Sequence, residues 1–174
     1  MSFSMSKALL PPLELTLKAV SGVLDKAQAF AAAKKIEPSV LLNYRLAPDM
    51  FSLARQVQVV SDLSKNGAAR LAAVEPPRFE DNETTFDELK ARLAKTVAFI
   101  KSVDAGKIDA SGERVISFPL GPVNKGEMTG VDYLNHFVLP NVYFHAAAAY
   151  SILRHAGVEL GKQDFLAGIP MKMS

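Results

Sequence analysis

Asn141 and His145 stand four residues apart in the stretch from Thr129 to Gly157, TGVDYLNHFVLPNVYFHAAAAYSILRHAG. On a helix two side chains at that spacing point the same way, and a histidine pair so placed takes up a transition metal. Here the first position is an amide, whose oxygen is a poorer ligand for Zn or Ni than imidazole. At about 3.6 residues per turn the pair shares one narrow stripe with Leu134, Val138, Ala148 and Ile152. Those apolar neighbours turn the stripe toward a core. Burying an amide and an imidazole there is unfavourable unless each finds a partner. Two readings stay open: a structural polar network, or a ligand site.

Pro140 bears on that choice. A proline inside a helix removes one backbone hydrogen bond, here freeing the carbonyl of His136, and costs about 3 kcal/mol or more unless compensated. Asn141 either satisfies backbone beside the kink or is aimed by it into a pocket. On the second long helix, Gln56 lies on the side of Leu53, Val60 and Leu63, with Asp49 about 20° away and Gln58 on the opposite side. Gln56 is then a helix-to-helix hydrogen-bonding group or a third member of a site with Asn141 and His145. His136 lies about 180° from His145 and faces solvent or another subunit. His155 falls near the helix end, where a cationic ring complements the dipole. Tyr143 and Tyr150 flank Ala146–Ala149, small residues that let another helix approach.

Four long amphipathic segments must carry these groups. The first begins at Pro12, a residue suited to a helix start, and buries Leu13, Leu17, Val20, Leu24 and Ala27 before ending near Lys35. Glu37–Leu46 makes a short turn of helix. The second segment runs from about Pro48 to Ala73 on Leu53, Val57, Val60, Ser64 and Leu71, and the prolines of Glu75–Asn82 stop it. The third covers about Thr85–Asp104 through Phe86, Leu89, Leu93, Val97 and Ile100, opened by Thr85 and Glu88 at capping-box spacing. Its charged residues Glu88, Lys90, Arg92 and Lys95 read as a solvated face, and Arg55 and Asp62 as surface groups. Val115–Leu120 and Asn124–Met128, parted by Gly121 and Pro122, predict a hairpin or an extended excursion. Thr129 and Asp132 open the fourth helix and Gly157 closes it. The tail is a terminal turn packed through Phe165 and Leu166. The pattern predicts an all-α fold, a single four-helix-bundle domain over residues 1–174 with a long crossover between helices three and four.

Composition removes several function classes. With 174 residues the chain is long enough to bury roughly 70% of its unfolded surface in one domain. A net charge of +2 makes no strong field for nucleic acid or an anionic membrane, and no basic block is interleaved with aromatics. There is no cysteine, hence no disulfide, thiolate metal site or cysteine nucleophile. The N-terminus lacks the apolar run of a signal peptide, and nothing approaches the ~20 apolar residues of a membrane span, so a cytoplasmic protein is expected. No phosphate-binding glycine loop and no Gly-x-Ser-x-Gly elbow occurs.

Leu46–Leu89 (LAPDMFSLARQVQVVSDLSKNGAARLAAVEPPRFEDNETTFDEL), Phe137–Leu166 (FVLPNVYFHAAAAYSILRHAGVELGKQDFL) and the helix between them resemble a bacterial domain-of-unknown-function family of the DinB-like (YfiT-like) superfamily. The resemblance covers nearly the whole chain. It implies a four-helix bundle with a long crossover, and in many members a divalent metal held by three histidines, one on helix two and an H-x-x-x-H pair on helix four. Some such members activate a low-molecular-weight thiol for transfer or isomerisation, and several are dimers. The glycine after L-R-x-x-G follows the second of those histidines by twelve residues, and here His145 precedes Leu153-Arg154-His155-Ala156-Gly157 in that phase. Asn141 stands where the first histidine of the pair belongs. Helix two has no histidine, leaving Gln56 or Asp49 as core-side stand-ins.

Two functions from different classes follow. One is a degenerate member without metal, binding a small molecule or acting as a homodimeric interaction module. The other is a metal-dependent enzyme of the thiol-transferase type, with Zn or Ni on an atypical Gln/Asn/His site. The bland alternative makes Asn141 and His145 purely structural.

Overall fold

A computed structural model describes residues 4–121, 123–166 and 168–169 of the chain. Helix α1 (Met5–Lys34) begins ahead of the expected proline start, with Pro11 and Pro12 inside it. Contacts within and beyond the helix hold this stretch despite its two missing N–H groups. Leu9 is fully buried, the Ser6 N–H donates to the Asp109 carboxylate at 2.7 Å, and the Thr16 hydroxyl donates to the Pro12 carbonyl at 2.9 Å. Pro38 occupies the first turn of the short helix α2 (Pro38–Leu42). Helix α3 (Leu53–Ala72) starts later than Pro48 suggests, because the loop before it is tied back by the Leu53 N–H donating to the Tyr44 carbonyl at 3.0 Å.

Helix α4 (Phe86–Ser102) carries the expected capping box: Thr85 accepts from the Glu88 N–H, and Glu88 accepts from the Thr85 N–H. After the short helix α5 (Ala105–Asp109), strands β1 (Val115–Leu120) and β2 (Asn124–Thr129) pair antiparallel, with Val115 opposite Thr129 and Leu120 opposite Asn124. Gly121 leads the turn at φ 67°, a conformation glycine adopts without strain. Pro122 lies outside the described residues. Helix α6 (Gly130–Asp132) is capped by Thr129, and a π-helical turn (Tyr133–Val138) joins it to helix α7 (Leu139–His155). Gly157, at φ 95°, follows α7 as expected of a helix-ending glycine. In the terminal helix α8 (Lys162–Phe165) Phe165 meets the Tyr150 ring edge-on at 5.9 Å, whereas Leu166 stays exposed. Ala167 and Pro170 of the tail lie outside the described residues.

The chain is mostly helical with one two-stranded sheet among the described residues. Helix α1 packs on α4 and α7, and α3 packs on the same two, so the core lies between these long helices. The apolar faces expected of the first two long helices are buried, and on α4 Phe86, Leu89, Leu93 and Ile100 are buried with Val97 half-covered. No helix is long and apolar enough to cross a membrane among the described residues.

A π-helical turn leads into α7 and brings Tyr133 into the buried set beside Leu134. A wide turn with bonds five residues apart inserts one residue into the helical count. Tyr133, Leu134 and Val138 of the turn are buried, and along α7 so are Val142, Ala146, Ala148, Ala149, Ile152 and Leu153. Of the expected stripe, Leu134, Val138, Ala148 and Ile152 are buried, and Asn141 and His145 are half-buried at its edge. Pro140 sits at the start of α7, just past the wide turn, where a missing N–H is least costly. Gly67 of α3 lets the turn approach: a Cβ there would lie 2.6 Å from Val138 Cγ1.

The charged side of α4 also departs from expectation. Arg92 is only 2% exposed, because the strap of residues 74–85 folds over it. Its guanidinium donates to Asp62 at 2.7 Å, to Glu83 at 2.9 Å, to Ser61 at 3.2 Å and to the Glu80 carbonyl at 3.1 Å, and Asp81 lies 2.9 Å away. Burial disfavours its charge, but the Glu83 and Asp62 carboxylates outweigh that and hold its pKa above the usual arginine value. Asp62 and Gln58, assigned to the surface side of the second helix, take part in the same network: Gln58 donates to Glu83 at 2.9 Å.

Candidate functional site

Gln56 and His145 are brought together from α3 and α7. His145 Nδ1 lies 2.6 Å from Gln56 Oε1. The amide nitrogen of Gln56 donates to the Phe51 carbonyl at 3.4 Å, which leaves Oε1 as the acceptor and makes Nδ1 the protonated ring nitrogen. Gln56 is 1% exposed. A buried amide thus sets the tautomer and orientation of a half-buried imidazole, as a carbonyl or carboxylate does for a working histidine. The other nitrogen, Nε2, has no hydrogen-bond partner among the described residues. It reaches solvent, since the buried side-chain polar atom left unpaired among them is Arg114 Nε.

Aromatic rings frame the imidazole. Phe51, in the loop before α3, stacks on it at 6.1 Å between centroids, and Phe144 meets it edge-on at 5.1 Å. The Arg55 guanidinium lies 5.8 Å from the Phe51 ring centre. Burial, and then the charge of Arg55, lower the His145 pKa below its ordinary value, so the ring is neutral near pH 7. Arg55 is held in turn by Asp81 and by Gln58 Oε1 at 3.2 Å.

None of the remaining candidates is hydrogen-bonded to this pair. The Asn141 amide nitrogen donates to the Phe137 carbonyl of its own helix at 2.6 Å, satisfying backbone beside the wide turn. Asp49 is exposed in the turn before α3, off the helical face on which the expected Pro48 start would place it. His136 is exposed near Asp132, and His155 is exposed at the end of α7 beside the Tyr44 ring. Tyr143 is exposed and Tyr150 half-buried on either side of an alanine run whose Ala146, Ala148 and Ala149 are buried. Sequence reasoning missed Phe51, Phe144 and Arg55. Phe144 carried the one available signal, a large apolar residue directly beside the candidate histidine.

The Gln/Asn/His set does not fit the divalent metal that the family resemblance implies. Gln56 commits its oxygen to the imidazole, and Asn141, whose amide nitrogen bonds its own helix, has only an amide oxygen to offer, so His145 Nε2 is the one good ligand atom of the set. Among the described residues no group of three His, Cys, Asp or Glu side chains is placed to hold a metal ion.

A family described as a domain of unknown function (DUF1993) matches residues 5–166. The chain belongs to this family. It is also similar to the crystal structure of a DinB family member protein from Shewanella denitrificans. That match has 37% identity and a TM-score of 0.88, over 97% of this chain and 95% of that one. The DUF1993 fold is therefore DinB-like. No curated protein matches the chain.

Proposed function

We propose that this DUF1993 chain is a metal-independent, small-molecule-binding member of the DinB-like proteins, with His145 Nε2 as its contact atom. Its long helices are read as a four-helix bundle whose crossover between α4 and α7 carries the β-hairpin, supported by each long helix packing on two others. The observation that carries the functional reading is the 2.6 Å bond from His145 Nδ1–H to Gln56 Oε1. That bond makes Nε2 a fixed, neutral lone pair at the surface, able to accept a ligand proton or hydrogen bond. The metal-dependent thiol-transferase reading is the weaker one, because the Gln56 oxygen is engaged by the imidazole and Asn141 offers only an amide oxygen, a poor ligand for Zn or Ni.

Elemental analysis and thermal melting of protein purified without a metal-affinity tag test this. The expected result is no stoichiometric Zn or Ni and a melting temperature indifferent to added divalent ions. Stoichiometric metal that disappears in His145→Ala would overturn it.

The alternative reading, a homodimeric interaction module in place of a small-molecule site, is favoured by exposed Tyr44, Phe51 and Phe144 along one side of α7 and the loop before α3. A sedimentation coefficient that stays monomeric across protein concentration would remove it.

A further inference from the structure

We propose that the surface around His145 selects a neutral, flat apolar molecule bearing a hydroxyl or N–H donor. The donor would bond Nε2 while the body covers Phe51 and Phe144. This deepens the small-molecule reading above and rests on it.

Three features define the class. First, Nε2 is an acceptor with no donor opposite it among the described residues, since Nδ1 already carries the ring proton toward Gln56. A ligand must therefore bring the hydrogen. Second, the flanking rings are open: Phe51 is 46% and Phe144 60% exposed, although both touch the imidazole. Covering such faces with an apolar body is favourable, and a flat one stacks or packs edge-on. Third, the local charge disfavours ions of either sign. The Arg55 guanidinium beside Phe51 repels an ammonium, and its pairing with Asp81 and Gln58 leaves it a poor partner for an anion. An anionic acceptor would also meet the lone pair of Nε2.

Other depressions offer less to choose a ligand by. The cleft of about 350 Å³ over Arg92 is charge-balanced by its own carboxylates. The groove of about 360 Å³ beside Leu15, Tyr143 and Phe165 is apolar and presents no fixed acceptor comparable to Nε2.

Phenol, toluene, benzylammonium and benzoate are suitable probes, followed through the side-chain ¹⁵N resonances of His145 in the full chain. Phenol is expected to shift Nε2 saturably, with toluene binding about tenfold more weakly for want of one hydrogen bond. In His145→Phe, with binding followed through the backbone amide resonances, the advantage of phenol over toluene should vanish while the spectrum stays that of the folded protein. Gln56→Glu places a carboxylate against Nδ1–H, favours the doubly protonated ring and should move the preference toward benzoate. A phenol-silent Nε2, or equal binding of phenol and toluene, overturns the proposed class. Should benzylammonium or benzoate shift Nε2 instead, the class falls and the small-molecule reading stands. Stoichiometric metal dependent on His145 removes the reading itself.

Discussion

His145 is a histidine whose ionisation the fold opposes. Burial and then Arg55 lower its pKa, so the unfolded chain, with an ordinary histidine near pH 6.5, binds the proton first as pH falls. The stabilising contribution is complete above about pH 6.5 and is lost as pH drops through the folded-state pKa. Because the ring is half-exposed, solvent screening keeps the amplitude modest. Urea unfolding from pH 7.5 to 5 should show stability declining on the acid side, and His145→Phe should flatten that slope. An unchanged slope in the variant would mean that other groups carry the dependence. Gln56 matters here as the acceptor that fixes which nitrogen titrates.

Between α3 and α7 the decisive element is the π-helical turn. It brings Tyr133 into the core, where its hydroxyl accepts from Arg70 at 3.0 Å, and it leads into the helix on which Asn141 and His145 stand half-buried at the border. Close approach of the turn to α3 depends on Gly67. A methyl group there would meet both Val138 methyls, and valine is stiff at χ1. Gly67→Ala is expected to lose about 1–3 kcal/mol of stability, the usual range for overpacking, as read from denaturant midpoints. Adding Val138→Ala should recover part of that loss rather than sum with it, since the two side chains compete for one volume. Strict additivity would show that the approach is not limiting.

Across the whole molecule, Arg92 joins parts that are distant in sequence. It links α4 to α3 through Asp62 and to the strap through Asp81 and Glu83, and its guanidinium lies 5.4 Å from the Phe79 ring centre. Asp81 and Glu83 continue the network to Arg55 and Gln58, next to the His145 site. Removing the buried cation leaves three carboxylates facing one another. Arg92→Met should therefore cost about 3–5 kcal/mol, against less than about 0.5 kcal/mol for Lys95→Ala on the exposed side of the same helix. The variant should also make the strap the first point of cleavage in limited proteolysis. A loss no larger than that of Lys95→Ala would mean the network is dispensable.

What the sequence determined by itself is what local chemistry repeats. Leu89, Leu93 and Ile100 recur at helical spacing, Thr85 and Glu88 cap one another within a single turn, and the two short runs around Gly121 pair as a hairpin. Each depends on residues a few positions apart, and periodicity and capping report such neighbours directly. His145 could be singled out in the same way, as a polar residue beside apolar ones. Its partner could only be guessed at, because the bond to Gln56 spans 89 residues. That contact exists because α7 lies against α3, a fact that no count along one helix carries. Arg92 illustrates the same limit: its helical position borders solvent until the strap closes over it. Burial and partner choice belong to the packing of elements, so tertiary structure alone decided which polar residues became a site.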